Sequence, residues 1–266
     1  RQSGLTHEYF SAVLDSFKVE AEKRGYDITF INHNISGRSM TYLEHCHYRS
    51  VDGVVIACVN FYDPQVVELV NSDVPVVTID HVFNNRMAVL SDNVAGLKAL
   101  VKQAWACGHR RIAFIHGEKT SVTENRIAGF YQACEELGLE IPEEYVRDGV
   151  YHDVERCAEE TRALLALPQR PTCIIFPDDF SALGGYNALA EAGLSIPDDI
   201  SVMGYDGIYL SRVVNPSLVT YQQNTAALGQ TAADKLIELI EHPRVTLPEQ
   251  IRVSGRLLSG GSVRSL

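Results

Sequence analysis

Residues 200–207 have the sequence ISVMGYDG, which is the stretch that best indicates the fold. An apolar, strand-like run ends at Gly204, and a carboxylate, Asp206, follows two residues later. Such a run is typical of a buried strand in a parallel sheet. The aspartate is then either a turn residue or a polar group at the carboxyl end of a strand, where α/β sheets bind ligands.

A second stretch of the chain repeats this pattern in outline. Residues 53–81 and 173–207 each read as a strand, a loop, a helix, a proline-marked turn and a second strand. Each second strand ends in an aspartate, Asp80 in the first and Asp206 in the second. Two similar α/β lobes are therefore predicted. If they face each other, the two aspartates approach one cleft from opposite sides, although two independent turn residues would give the same pattern.

Apolar runs and amphipathic stretches alternate along the chain, which predicts an α/β fold with parallel sheets. Strands are predicted at residues 27–32, 53–57, 75–79, 111–115, 172–176, 200–204 and 218–221. Helices are predicted at residues 9–23, 92–106, 123–137 and 180–192. Each predicted helix is followed by a glycine within two residues, Gly25, Gly108, Gly138 or Gly193, as expected for helix C-caps.

Composition excludes several classes of function. The longest apolar run, around residues 54–59, is far shorter than the roughly 20 residues of a membrane-spanning helix. No charged-then-apolar leader opens the 266 residues. The net charge of −11 argues against a nucleic-acid surface on this chain, because phosphate binding requires clustered Lys and Arg. The basic trio at residues 109–111 fits a polar turn after a helix.

Catalytic and metal motifs are not found. The sequence contains no dinucleotide or phosphate-loop glycine pattern, no zinc-protease motif and no serine-hydrolase elbow. His45, Cys46 and His47 lack companion ligands nearby, so neither a metal nor a cofactor is expected. The adjacent Asp178 and Asp179 suit a helix start. Six scattered cysteines without a Cys-x-x-Cys pair indicate free thiols in a reducing compartment.

Several segments, taken together and in order, resemble a known family. They are GHRRIAFIHG (108–117), NRIAGF (125–130), IPDDISVMGYDG (196–207) and NPSLVTYQQ followed by LGQTAADKL (215–236). In this order and spacing they look like the effector-binding core of the lactose-repressor (LacI/GalR) family of bacterial transcription regulators. The likeness runs from about residue 6 to residue 263.

The resemblance implies a fold and a biological role. The fold would be two periplasmic-binding-protein-like lobes, each a parallel sheet flanked by helices, joined by three crossovers. The amino-terminal lobe would comprise 1–91 plus 223–252, and the carboxyl-terminal lobe 92–222 plus 253–266. A small-molecule effector, expected to be a sugar, would lie between the lobes of a cytoplasmic homodimer and control operator DNA binding by a separate helix-turn-helix domain.

The family pattern also implies ligand-binding residues. Carried over position by position, they are Tyr9, Phe10, Asp80, Arg126, Tyr151, Asp178, Asp206 and Gln223. These residue types suit a polyol: carboxylates accept hydrogen bonds from hydroxyl groups, arginine donates a rigid fork, and an aromatic ring covers the apolar face of a sugar. Tyr205 is expected to pack behind Asp206.

Each of these residues has an alternative reading. Arg126 also fits an exposed helix start, Tyr151 a loop-packing aromatic and Gln223 a residue that serves only the hinge backbone. One of Tyr9 and Phe10 is expected to belong to the core. At the level of function, a secreted sugar-binding protein of a transport system has the same fold, and an enzyme using the cleft acids is a third reading.

The sequence departs from the family pattern in three places. The DNA-binding segment and the first strand of the amino-terminal lobe are missing from it, so we expect further upstream sequence in the natural protein. A sheet without that central strand would expose backbone groups that need partners. Asp178 stands where the family has asparagine, and the extra carboxylate favours hydroxyl-rich or cationic ligands over anionic ones, unless Arg126 balances it.

Overall fold

A computed structural model describes residues 7–35 and 37–266. In chain order the helices are α1 (Glu8–Lys23), α2 (Tyr42–Arg49), α3 (Pro64–Asn71), α4 (Asn93–Ala106), α5 (Ser121–Glu136), α6 (Val154–Leu165), α7 (Ala182–Glu191), α8 (Leu210–Val213) and α9 (Thr225–Glu241). The strands are β1 (Asn34–Ile35), β2 (Arg38–Ser39), β3 (Val54–Ile56), β4 (Val76–Ile79), β5 (Met87–Ser91), β6 (Ile112–His116), β7 (Val146–Asp148), β8 (Cys173–Ile175), β9 (Ser201–Asp206), β10 (Val219–Gln222), β11 (Gln250–Val253) and β12 (Arg256–Leu258).

The chain forms two compact units. Unit 1 contains the residues up to Ser91 together with Asn224–Val253, and unit 2 contains Asp92–Gln223 together with Ser254–Leu266. Parallel strands flanked by helices form the main sheet of each unit, so the predicted α/β class is confirmed. Within the described ranges, no helix is both long and apolar enough to cross a membrane.

Unit 2 is built on a six-stranded sheet in the order β12-β10-β9-β8-β6-β7. All neighbouring pairs are parallel except β10 with β12. Alternate residues of β6 enter two separate cores: Ile112 and Phe114 pack with α4 and α5, while Ala113 and Ile115 pack with residues of α6 and α7. This two-residue alternation is what a sheet covered on both faces requires.

Unit 1 carries a four-stranded parallel sheet in the order β11-β5-β4-β3. One core joins β4 and β5 to α1 and α9, and the other joins β3 and β4 to α2 and α3. Gly229 permits the close approach of α9 to α1, since a Cβ there would lie 2.3 Å from the carbonyl oxygen of Val13.

The strand predicted at residues 27–32 is wrong for this structure, which places no strand there. Instead, residues 27–32 line a groove of about 770 Å³ together with β3 and apolar side chains of α1 and α9, among them Phe17 and Leu236. β3 ends the sheet on this side. The apolar alternation of residues 27–32 is therefore present without a paired neighbouring strand.

Candidate functional site

The two aspartates singled out by the sequence share an uncommon backbone conformation. Asp80 follows β4 with a φ of 60°, and Asp206 ends β9 with a φ of 102°. Positive φ is strained for residues other than glycine, and strained residues cluster at ligand sites. Both aspartates lie at the carboxyl end of a strand in their own unit, which is where α/β sheets bind ligands.

In unit 1, Asp80 is held by a short polar network. Its Oδ2 accepts a hydrogen bond from Tyr9 Oη at 2.6 Å, and its Oδ1 accepts one from the Ser91 backbone N–H at 2.7 Å. Burial, reinforced by the charge of Asp80, raises the pKa of Tyr9 well above its ordinary value, so the phenol stays a donor. Tyr9 belongs to the core of unit 1, while Phe10 is half-buried and lines the groove.

In unit 2, Asp206 is paired with Gln223. The Gln223 backbone N–H donates to the Asp206 carbonyl at 3.1 Å, and Gln223 Nε2 donates to Asp206 Oδ1 at 2.6 Å. Because the carboxylate fixes the amide orientation, Gln223 Oε1 is an acceptor, and it is buried without a hydrogen-bond partner in the described part of the chain. Buried polar atoms are rarely left unsatisfied, so this atom calls for an explanation.

Arg126 is buried beside Asp206 and is anchored within unit 2. Its Nε donates to Asn93 Oδ1 at 2.8 Å and its Nη1 to the Pro177 carbonyl at 2.7 Å, while Nη2 lies 3.8 Å from Asp206 Oδ1. The guanidinium stacks on Tyr205, with Cζ 3.6 Å from the ring centroid. The reading of Arg126 as an exposed helix-start cation is therefore wrong.

The ionisation of Asp206 reflects this surrounding. Burial raises its pKa to about 6, with the charge of Asp178 adding to the rise and Arg126 and Gln223 opposing it. Tyr205, which follows Gly204 in the strand, is fully buried against Tyr221 at 5.3 Å between ring centroids. The expected placement of Tyr205 behind the aspartate agrees with this packing.

Tyr151 lies in the turn between β7 and α6 and is held at three points. Its backbone N–H donates to Glu118 Oε2 at 2.8 Å, and its hydroxyl lies 2.8 Å from Thr123 Oγ1. The Arg126 Cζ lies 5.6 Å from the ring centroid. Gly117 makes room for the ring, because a Cβ there would lie 2.1 Å from it. The ring is thus fixed beside Arg126.

Asp178 and Asp179 are both buried, and their partners differ. Asp178 accepts hydrogen bonds from the backbone N–H and Oγ of Ser181, both at 2.7 Å, and pairs with His152. Asp179 accepts from Thr220 Oγ1 and from the backbone N–H of Ile208. Burial and the charge of Asp206 raise the pKa of Asp179 well above its ordinary value.

The glycine in ISVMGYDG is explained by Asp179. A Cβ on Gly204 would lie 2.3 Å from Asp179 Oδ1. The buried carboxyl group therefore occupies the space that a side chain at position 204 would need. Besides the helix start that the sequence suggested for the pair, Asp178 holds the backbone of His152 and Asp179 holds Thr220 of β10.

His152 is a polar residue of this site that sequence reasoning missed. It has a φ of 58°, and its backbone N–H donates to Asp178 Oδ2 at 3.0 Å while Nδ1 lies 3.4 Å from Asp178 Oδ1. Its only sequence signal is its position after Tyr151 and before Asp153, the N-cap of α6. Within the described residues, no group of three or more potential ligands is arranged to hold a metal.

Comparisons with known proteins place this arrangement in a family. Residues 101–263, more than half of the chain, match the periplasmic binding protein-like domain family. The HTH-type transcriptional repressor PurR of Haemophilus influenzae is 31% identical over 265 residues, covering 97% of this chain and 78% of the repressor.

Solved structures agree with the fold. A LacI transcriptional regulator from a Rhodococcus species superimposes with a TM-score of 0.86 at 23% identity, covering 98% of this chain and 96% of that one. A LacI family regulator from Enterococcus faecium, solved with bound ribose, gives a TM-score of 0.84 at 26% identity, covering 99% and 97%. The chain therefore belongs to the LacI family of transcriptional regulators, of which it forms a periplasmic-binding-protein-like core.

Proposed function

We propose that this chain binds a small polyhydroxylated effector and thereby controls the DNA binding of a LacI-family repressor. The observation that carries the proposal is the buried Gln223 Oε1, which has no hydrogen-bond partner in the described structure and adjoins Asp206. An acceptor left unsatisfied in the protein is satisfied when a ligand donates to it. The bound ribose of the Enterococcus faecium regulator supports a sugar or a related molecule.

The chemistry of the surrounding residues fits such a ligand. Asp206 and Gln223 accept hydrogen bonds from hydroxyl or N–H groups, and the ring of Tyr151 covers an apolar face. Arg126 balances the charge of Asp206 through their 3.8 Å approach. In unit 1, Asp80 supplies a second carboxylate whose orientation Tyr9 fixes. We propose that Phe10, Asp178 and both aspartate networks take part in the effector site.

Regulation requires that the effector distinguish two states of the protein. A ligand shifts an equilibrium only by its difference in affinity for the two states, and couplings of about 1–3 kcal/mol are typical. We propose that the protein works as a homodimer in the cytoplasm and that operator DNA is read by a helix-turn-helix domain outside these 266 residues. We propose that the two lobes of this chain correspond to the two units, with the amino-terminal lobe near residues 1–91 plus 223–252 and the carboxyl-terminal lobe near 92–222 plus 253–266.

Two other readings are less well supported. A periplasmic sugar-binding protein would share the fold, but the relatives that cover nearly the whole chain are named transcriptional repressors. An enzymatic role would require a carboxylate positioned to react, whereas Asp178 and Asp179 are occupied by bonds within the protein. We therefore propose binding without turnover.

A ligand screen tests the proposal. The chain is incubated with pentoses, hexoses, disaccharides and nucleobases, and unfolding is followed by thermal shift; a ligand at 100 times its Kd adds about 2.7 kcal/mol of stability. Calorimetry then compares Asp206→Ala with the exposed control Asp198→Ala. Asp206→Ala removes one hydrogen bond to a charged group and releases the Gln223 amide that Asp206 orients, so we expect roughly 100-fold weaker binding. The control should bind with unchanged affinity.

The outcome that contradicts the proposal is equally specific. If a stabilising compound binds Asp206→Ala with unchanged affinity, Asp206 is not part of the effector site. If the intact protein converts a bound sugar to a product, the enzymatic reading replaces the regulatory one.

A further inference from the structure

The pairing of Asp178 with His152 fixes an imidazole next to Tyr151. The His152 backbone N–H donates to Asp178 Oδ2 at 3.0 Å, and the ring Nδ1 lies 3.4 Å from Asp178 Oδ1. This two-point attachment holds the residue at its positive φ of 58°. The ring centroids of Tyr151 and His152 lie 6.3 Å apart.

Asp178 itself is committed to protein groups. Its side chain is 1% exposed, and it receives two hydrogen bonds from Ser181 in addition to those from His152. A carboxylate offers about four lone-pair positions, so these contacts use its accepting capacity. His152, in contrast, has a side chain that is 32% exposed. Of the two partners, the imidazole is the one that is accessible from outside.

The charges around His152 keep the imidazole protonated over a wider range than usual. Burial disfavours the charged form, but the hydrogen bond and charge of Asp178, with Asp206 and Glu118 also facing the ring, raise the pKa of His152 above its ordinary value. The same contact lowers the pKa of Asp178 against the opposing effect of burial. His152 pairs with Asp178 and Arg126 lies beside Asp206, which leaves Glu118 as an additional negative charge facing the ring.

We propose that His152 is a specificity-determining residue that donates a hydrogen bond to an acceptor atom of the effector, and that Asp178 is the positioning residue for its imidazole. Because the carboxylates around this point outnumber its two cations, the preferred effector is not anionic, and it carries an oxygen or ring-nitrogen acceptor at this point. This inference rests on the proposed function, and it reassigns Asp178 from ligand contact to support.

Calorimetry with defined probes tests the role of His152. D-ribose, D-ribose 5-phosphate and hypoxanthine are titrated into the wild-type chain, His152→Ala, His152→Gln and the exposed control His47→Ala. For the uncharged probes that bind, His152→Ala is expected to weaken affinity roughly tenfold, which corresponds to one charge-assisted hydrogen bond. His152→Gln retains a donor and recovers most of the affinity, and His47→Ala has no effect.

Asp178→Asn tests the positioning role with a readout that simple loss of structure would not produce. Asparagine has nearly the same size and shape as aspartate, so the variant is expected to fold. Titration of the His152 ring by NMR should show its pKa falling in the variant. The ratio of wild-type to variant affinity for the same probe should be larger at pH 7.5 than at pH 6, because the variant loses its imidazolium first.

Each other outcome overturns a defined part of the inference. Unchanged affinity of the uncharged probes in His152→Ala refutes the role of His152 and leaves the proposed function intact. Tighter binding of the phosphate ester than of D-ribose refutes the preference for an effector that is not anionic. An unshifted His152 titration in Asp178→Asn refutes the positioning role. Failure of every probe to bind the wild-type chain counts against the proposed function as well as this inference.

Discussion

Both units are built on a mainly parallel sheet covered by helices on its two faces, but the sheet of unit 2 has more strands than the sheet of unit 1. In unit 2, six strands separate two apolar cores, and the central strands are buried on both faces. In unit 1, four strands carry two smaller cores, and a groove of about 770 Å³ lies between β3 and residues 27–32. The difference shows that an apolar alternating segment becomes a strand only where another strand pairs with it.

The backbone of residues 27–32 lacks the hydrogen bonds that a neighbouring strand would provide. In the described part of the chain, residues 28–31 donate no backbone hydrogen bond to another main-chain group, and the N–H of Asn32 is bound by the His45 ring at 2.8 Å instead. Phe30 is 50% exposed. Strand propensity alone does not overcome the entropy of ordering such a segment.

The largest expected contrast between the units lies in their phenylalanines. Phe130→Ala removes a fully buried ring from the core of unit 2, and we expect a loss of about 3–5 kcal/mol in the free energy of unfolding. Phe30→Ala removes a half-exposed ring from unit 1 and should change it by no more than about 1 kcal/mol. Urea unfolding measures both. Equal losses would show that the groove is packed as well as the core of unit 2.

The two strained aspartates should respond in opposite directions to neutralisation. Burial holds the pKa of Asp206 near 6, above its unfolded value of about 3.9, so folding favours its protonated form. Its stabilising contribution is present below about pH 4 and is lost as pH rises through 6, a change of up to about 3 kcal/mol. Asp206→Asn should therefore unfold at higher urea concentration than wild type at pH 7.5, with the difference shrinking toward pH 4.

Asp80→Asn is the matched change in unit 1. It weakens acceptance from the Tyr9 hydroxyl, now 2.6 Å away, and should cost about 1 kcal/mol at the same pH. If both variants are destabilised, the hydrogen bonds of Asp206 stabilise the folded protein by more free energy than the ionisation of its buried carboxyl group costs. If both are stabilised, the Tyr9 and Ser91 contacts of Asp80 do not contribute to folding.

Hydrogen exchange gives the finest comparison. The amides of residues 28–31 should exchange with little protection, while those of β6 (Ile112–His116) exchange only through opening of unit 2. Mass spectrometry of peptides covering each segment resolves the two. Comparable protection would indicate that residues 27–32 are paired in solution.

Much of the fold follows from apolar periodicity. Strands β3, β4, β6, β8, β9 and β10 fall within one or two residues of their predicted positions, as do α1, α4, α5 and α7. The short strand β7 and the strands β11 and β12 were not predicted, because their exposed positions interrupt the apolar pattern. The strand β5 was not predicted either, although all five of its residues are buried. The strand prediction for residues 27–32 was wrong for a different reason: the apolar pattern is present, but a pattern does not show whether a partner strand is available.

The candidate site was predictable only in part. The repeated strand-plus-aspartate pattern located Asp80 and Asp206, and the positive φ of both residues is a feature that no sequence pattern displays. The sequence also does not show that the adjacent residues Asp178 and Asp179 have different partners. Asp178 supports His152, whereas Asp179 is bound to β10 through Thr220. His152 was missed because its importance depends on Asp178, which lies 26 residues away along the chain.

The most direct test of the binding account is a crystal structure of the chain with the compound that stabilises it most in the ligand screen. The account predicts one donor group of that compound within about 3.2 Å of Gln223 Oε1 and another at the same distance from Asp206. A compound that binds in the groove lined by residues 27–32, or that leaves Gln223 Oε1 without a partner, would contradict it.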